Sequence, residues 1–187
     1  MRNNRWIVLA LVPVVAALTL GQSGLGAEEG TPGTLRFKAH NQLYSADGTF
    51  KKWKLTKVEI PDGDMTKGRV EFEVDLASVS EKAADLADHL RTADFFDVAK
   101  YTTATVKIDR AKSTGEGSYE ALAVVSFHGN DVEVPVRFQV VGGPPLKIEG
   151  SATLNRMDFG IGRPYAAGND RSIVEEVEIL IELALHQ

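Results

Sequence analysis

The strictest constraint on this chain is a two-residue rhythm. From Val132 to Val140, the residues Val132, Val134, Val136, Phe138 and Val140 alternate with Glu133, Pro135, Arg137 and Gln139. An extended backbone therefore puts hydrocarbon on one face and polar groups on the other. The same rhythm runs through Leu35, Phe37 and Ala39, through Val70, Phe72, Val74 and Leu76, and through Ala104, Val106 and Ile108. It returns in Tyr119, Ala121, Ala123, Val125 and Phe127, in Leu146, Ile148, Gly150, Ala152 and Leu154, and in Val177, Ile179, Ile181, Leu183 and Leu185. With the weaker Leu55 to Ile60 segment, about eight strands are predicted. One such sheet left flat would have two open edges and a wet hydrocarbon face, so it must close on itself or pair with a second sheet. Short connections, such as Pro61-Asp62-Gly63-Asp64 and the tight hairpin His128-Gly129-Asn130-Asp131, favour antiparallel order. Pro135 has no ladder donor, which places its strand at an edge or at a bulge. Periodicity by itself leaves barrel and sandwich both open.

The rhythm changes once. From Ser80 to Leu90, Ala83, Leu86 or Ala87, and Leu90 recur at helical spacing, with Glu81, Lys82, Asp85 and Asp88 on the other side. Ser80 is the expected N-cap, with Glu81 near the positive end of the helix. Phe95 and Phe96 follow directly, so a short helix carrying two adjacent rings is placed to cover one end of the sheet structure.

The first 26 residues differ from the rest. Arg2 and Arg5 precede an apolar run from Trp6 to Leu20 and a small, Gly-rich stretch ending at Gly26-Ala27, the layout of a secretory signal peptide. The run is short for a membrane span, which needs roughly 20 residues. The expectation is a leader over 1–26, one domain over 27–187, and a periplasmic or secreted protein with no stable membrane insertion after cleavage. Without the leader, 19 basic side chains face 26 acidic ones, a formal charge of −7 against −5 for the whole chain. Such a surface has no electrostatic reason to hold nucleic acid or an anionic bilayer. Cysteine is absent, so there is neither a disulfide framework nor a lipid-modified N-terminal cysteine.

Three segments resemble the YceI-like family of exported, lipocalin-like isoprenoid-binding proteins. The first is His89-Leu90-Arg91 with Asp94-Phe95-Phe96-Asp97-Val98 and Tyr101. The second is Phe127-His128-Gly129. The third is Asn155-Arg156-Met157-Asp158-Phe159-Gly160. The resemblance spans about Leu35 to Leu185. It implies an all-β, eight-stranded antiparallel lipocalin-like barrel with one short helix near its mouth, and an interior holding a polyisoprenoid or isoprenoid quinone. Binding and transport rather than catalysis follow from it. The partners it leaves open are a homodimer mate and a membrane-bound cytochrome b-type protein.

The inward positions include many small residues: Ala39, Ala104, Ala121, Ala123, Gly150 and Ala152. Such a set leaves an apolar cavity, unless larger neighbours interdigitate with it to make a packed core. In the first case the ligand-binding candidates are Phe37, Ala39, Phe50, Trp53, Phe72, Val74, Phe95, Phe96, Val106, Ala121, Ala123, Val125, Val136, Phe138, Ala152 and Phe159. Polar candidates at the mouth are His89, Arg91, Asp94, Arg156 and Asp158. His89 either meets a head group or ties the helix end through Asp94, Asp97 or a carbonyl. Arg91 and Arg156 either pair with Asp94 and Asp158 or line the mouth. Phe95, Phe96 and Phe159 read as plugs.

Catalytic signatures are missing: no Gly-x-Ser-x-Gly elbow, no His-Glu-x-x-His, no phosphate-cradling glycine loop and no cysteine nucleophile. His40, His89, His128 and His186 have no tight metal-ligand spacing, and Asp62-Gly63-Asp64 reads as a surface turn rather than a calcium loop. No catalytic residue, metal ligand or cofactor is assigned. Two alternatives to a lipid carrier remain: an enzyme or redox accessory acting on an isoprenoid quinone, and a packed barrel that binds another protein.

Overall fold

Each alternating segment becomes a strand in the computed structural model, which describes residues 31–143 and 145–185. The expected leader over 1–26, the start of the lead-in after it, Pro144 and His186 lie outside the described residues. The strands are β1 (Gly33–His40), β2 (Ser45–Phe50), β3 (Trp53–Glu59), β4 (Arg69–Asp75), β5 (Val79–Ser80), β6 (Thr103–Asp109), β7 (Lys112–Gly115), β8 (Ser118–Phe127), β9 (Asn130–Gly142), β10 (Leu146–Asn155) and β11 (Glu176–Leu185). All the pairings are antiparallel, in the order β3-β4-β6-β8-β9-β10-β11-β1-β2-β5, with β7 beside β8.

Eleven segments fall on eight ribbons. β2 runs into β3 across Lys51 and Lys52, β4 into β5 through a 3-10 turn (Leu76–Ser78), and β6 into β7 across Arg110 and Ala111. Because β3 pairs with β4 and β2 pairs with β5, the two ends of the path are the same pair of ribbons. The corner between them is held by Lys51 N–H on Ser78 O (3.1 Å) and Asp75 N–H on Lys52 O (3.0 Å). The sheet therefore closes, and no apolar face is left wet. At Arg110 the bend puts a non-glycine residue at φ 51°.

The turns explain the ribbon joints. His128 (φ 53°) and Gly129 (φ 83°) are the two residues between Phe127 and Asn130, which face each other across β8 and β9. Two successive positive φ values give the primed turn whose twist matches the strands. Asn130 and Asp131, expected in the hairpin, already belong to β9. Pro135 sits opposite Leu122 of β8 and one residue beyond the last β9–β10 rung, Val136–Ala152, so its missing N–H falls where that ladder stops.

The helix begins later than its sequence signals suggest. α1 spans Ala84–Arg91 with Ala83 at its N-cap and no capping side chain. Ser80, expected as the cap, is instead paired with Thr49 in the closing corner, so a tertiary rung overrides the local preference. Glu81 takes over the local role: its carboxylate accepts from Ala83 N (2.6 Å) and Tyr44 Oη (2.7 Å). Ala87 and Leu90 are the face that α1 buries.

Candidate functional site

Inside the barrel lies a cavity of ≈ 190 Å³ whose wall is almost wholly hydrocarbon. On this measure one water needs roughly 10–15 Å³, so the space is many times larger than a packing defect. Nine of the sequence-derived candidates line it: Phe50, Phe72 and Val74 from β2 and β4, Val106, Ala123 and Val125 from β6 and β8, and Val136, Phe138 and Ala152 from β9 and β10. Ala104 and Gly150 also line it, whereas Ala39 and Ala121 do not. The small residues work by position: at Gly150 a Cβ would come within 2.9 Å of Ile181 Cγ2, so glycine is what lets the Ile181 side chain stand against that strand. Val106, Val125, Val136 and Ile181 are only half-buried although their side chains point inward. The surface they retain faces the cavity.

Several lining residues were not singled out from the sequence: Ile108, Ile148, Leu154, Ile179, Ile181 and Leu183. Each lies on the apolar phase already read for its strand, so taking the whole of every phase as lining, rather than a selection from it, would have found them.

At the end covered by α1 the cavity meets an aromatic plug. Phe96 reaches in from the loop after α1 and lies 5.9 Å from Phe50, 6.4 Å from Phe37 and 5.5 Å from Phe127. Phe127 in turn lies 5.7 Å from Phe159, which has no exposed surface at all. Phe37, Phe96 and Phe159 thus cap the cavity rather than line it. Phe95 departs from the expected plug: it turns sideways, its ring 5.0 Å from that of His89, and faces an outer polar groove. Trp53 is buried edge-on against Phe72 (5.6 Å), set back from the cavity, and its Nε1 has no hydrogen-bond partner among the described residues.

Three of the five polar candidates are brought together on the far side of that plug. His89, Asp94 and Arg156 border the outer groove, with no residue in common with the cavity. The His89 ring packs on Phe95, and among the described residues it makes none of the expected hydrogen bonds to Asp94, Asp97 or a carbonyl. Arg91 pairs with Asp88 (2.7 Å) rather than with Asp94, because one helical turn separates the two side chains, and it also donates to Ala77 O and Val79 O. Asp94 and Asp158 are exposed.

Arg156 does not pair with Asp158. It is 5% exposed and all five of its N–H groups are engaged: Nε with Val174 O (3.2 Å), Nη1 with Ile161 O (2.7 Å) and Met157 Sδ (3.0 Å), Nη2 with Arg163 O (2.6 Å) and Ile173 O (2.8 Å). Burial pushes the guanidinium below its ordinary pKa, with the charge of Glu175 acting the other way. A planar fork of five donors matches a ring of carbonyls, and the loop between the last two strands is pinned by it. Beside it, His128 Nδ1 lies 3.0 Å from Phe159 O, which makes Nδ1 the protonated nitrogen, and the Tyr101 ring sits 4.4 Å from that of His128. The three sequence motifs therefore meet at one point, at the capped end of the barrel. No group of three His, Cys, Asp or Glu side chains converges as a metal site would need among the described residues.

Known proteins share this plan. A UPF0312 protein of Azotobacter vinelandii is 29% identical over 192 residues, covering 92% of this chain and 97% of its own length. The crystal structure of Burkholderia cenocepacia BcnA superimposes with a TM-score of 0.72 at 20% identity, covering 81% of this chain and 94% of that one. A polyisoprenoid binding domain from Saccharophagus degradans, implicated in plant cell wall breakdown, gives a TM-score of 0.60 at 13% identity, covering 86% and 98%. The profile of the YceI-like domain matches residues 30–185, the whole closed barrel with its capped end, and the chain belongs to that family.

Proposed function

We propose that this protein is a binding protein for an isoprenoid lipid, holding the tail in the barrel and carrying it through an aqueous, exported compartment. The observation that carries this reading is the cavity: a continuous hydrocarbon wall contributed by all eight ribbons, with the ladders' polar backbone groups already paired. At about 24 cal/mol per Å³, leaving ≈ 190 Å³ without contacts costs on the order of 4–5 kcal/mol, which a guest of matching chemistry recovers. Each buried methylene adds roughly 0.8 kcal/mol, so ten buried carbons outweigh the cost of ordering a flexible chain. A prenyl tail is slim, branched and wholly apolar, and needs no charged anchor. The neighbouring Saccharophagus degradans fold, described as a polyisoprenoid binding domain, supports the same ligand class, with an isoprenoid quinone as the variant that carries a redox-active head. The leader-like layout of 1–26 supports the exported compartment.

The test is extraction of the protein purified from its own cells, followed by mass spectrometry and by titration with geranylgeraniol. A co-purifying prenyl lipid, or saturable uptake of the added one, is the expected result. A lipid-free protein that ignores the added prenyl alcohol overturns the reading.

A further inference from the structure

The cavity shares part of its wall with an outer groove. At the capped end, Phe96 and Phe159 interlock through Phe127, and the Arg156 cage fixes the loop above them. At the opposite end, Met65 and Leu185 are buried beyond the last lining residues. On the side, the β9–β10 ladder stops at Val136–Ala152, although β10 continues to Asn155 and β9 starts at Asn130. The next rung would fall on Pro135, which has no N–H to give. The last two rungs, Val136–Ala152 and Arg137–Ser151, border the cavity on the inside and an open groove on the outside. Ser151 and Ala152 add almost no side-chain thickness there. Among the charged side chains of that groove two hydrocarbon ones are exposed: Leu122, 54% exposed, stands opposite Pro135, and Val124 is 36% exposed.

We propose that the lipid tail enters and leaves sideways, through the unzipped part of the β9–β10 seam, and that fraying of the Val136–Ala152 and Arg137–Ser151 rungs is the gate. Pro135 sets where the gate begins, and Leu122 and Val124 give the emerging chain hydrocarbon to cross. This rests on the lipid-binding reading above but concerns the route, which that reading leaves open.

The chain contains no cysteine, so a lock can be installed without interference. Arg137→Cys with Ser151→Cys joins register partners on the exposed side of the seam, and Glu149→Cys with Glu182→Cys does the same in the β10–β11 seam, which pairs along the full length of both strands. Loading and release of geranylgeraniol are followed by stopped flow in the oxidised and reduced forms of each. Oxidation should slow exchange about tenfold or more in the first pair and leave the second unchanged, as expected when a gating motion limits the rate. Pro135→Val, which restores the donor for the next rung, should slow exchange in the same direction without any disulfide. Equal rates in locked and unlocked β9–β10, together with no effect of Pro135→Val, overturn the sideways route while leaving lipid binding standing. Failure of the unsubstituted chain to bind the prenyl alcohol overturns both.

Discussion

Gly48 and Phe37 face each other across the β1–β2 pair, and a Cβ on Gly48 would overlap the Phe37 ring at Cζ and Cε1. The ring cannot step aside, because it lies against Phe50 (5.6 Å) and Phe96 (6.4 Å). Glycine here serves the plug and not the backbone, since Gly48 has no positive φ. Gly48→Ala should therefore destabilise the domain by about 1–3 kcal/mol through overpacking. Urea unfolding of the two proteins checks it, and an unchanged midpoint would mean that the aromatic cap tolerates a methyl group in its centre.

The Arg156 cage makes a second expectation. Arg156→Met removes five donors and leaves the carbonyls of Ile161, Arg163, Ile173 and Val174 without them, the first buried and the others part-buried beside the outer groove. The loss should be about 3 kcal/mol, and Arg156→Lys should recover little of it, because three donors on a flexible stem cannot satisfy acceptors arranged around a plane. Hydrogen exchange should show the 161–174 segment opening first. Full stability in the lysine variant would show that charge alone, not the fork, holds the loop.

Strand phase was legible in the sequence because one face of every ribbon is buried, and a buried face writes its period directly into residues such as Val132, Val134 and Val136. Eight ribbons could be counted on that basis, and the interior phase located most of the cavity wall. Three things were not written there. Closure depends on bends at Lys51–Lys52 and Leu76–Ser78, where one ribbon serves two neighbours, and local sequence carries no trace of a pairing between distant strands. Ser80 looks like a helix cap until its rung with Thr49 is known. Arg156 finds its partners among backbone carbonyls, which every residue has, so charge matching pointed to Asp158 and missed them.

Glu81 gives a pH dependence of definite sign. Hydrogen bonds from Ala83 N–H first, then from Tyr44 and Asp47, hold its carboxyl below the ordinary glutamate value near 4.5. The folded state thus binds this proton more weakly than the unfolded chain does. The resulting stability is fully present above the ordinary value and is lost as pH falls through the lowered folded value. Glu81→Gln should be less stable than the parent at pH 7, and its midpoint should decline less steeply between pH 5 and pH 3. Thermal unfolding across that range measures the two slopes, and parallel slopes would show that the entry to α1 does not depend on the carboxylate.

The cavity can be challenged by filling it. Val106 lies on β6 between Phe72 and Val125, all three facing the interior, and it is half-buried only because of the space before it. A phenylalanine in its place extends into that space. If the space is real, Val106→Phe without lipid should be as stable as the parent or better by about 1 kcal/mol, since it restores lost contacts. Displacing three or four methylene contacts should at the same time weaken prenyl alcohol binding by about 3 kcal/mol, on the order of a hundredfold. The parent should gain about 2.7 kcal/mol at a lipid concentration one hundred times its Kd, and the variant should lose most of that gain. Melting curves with and without geranylgeraniol read both effects in one experiment. A variant that melts lower without lipid would mean that side chains already fill the interior, and one that binds as tightly as the parent would place the ligand elsewhere.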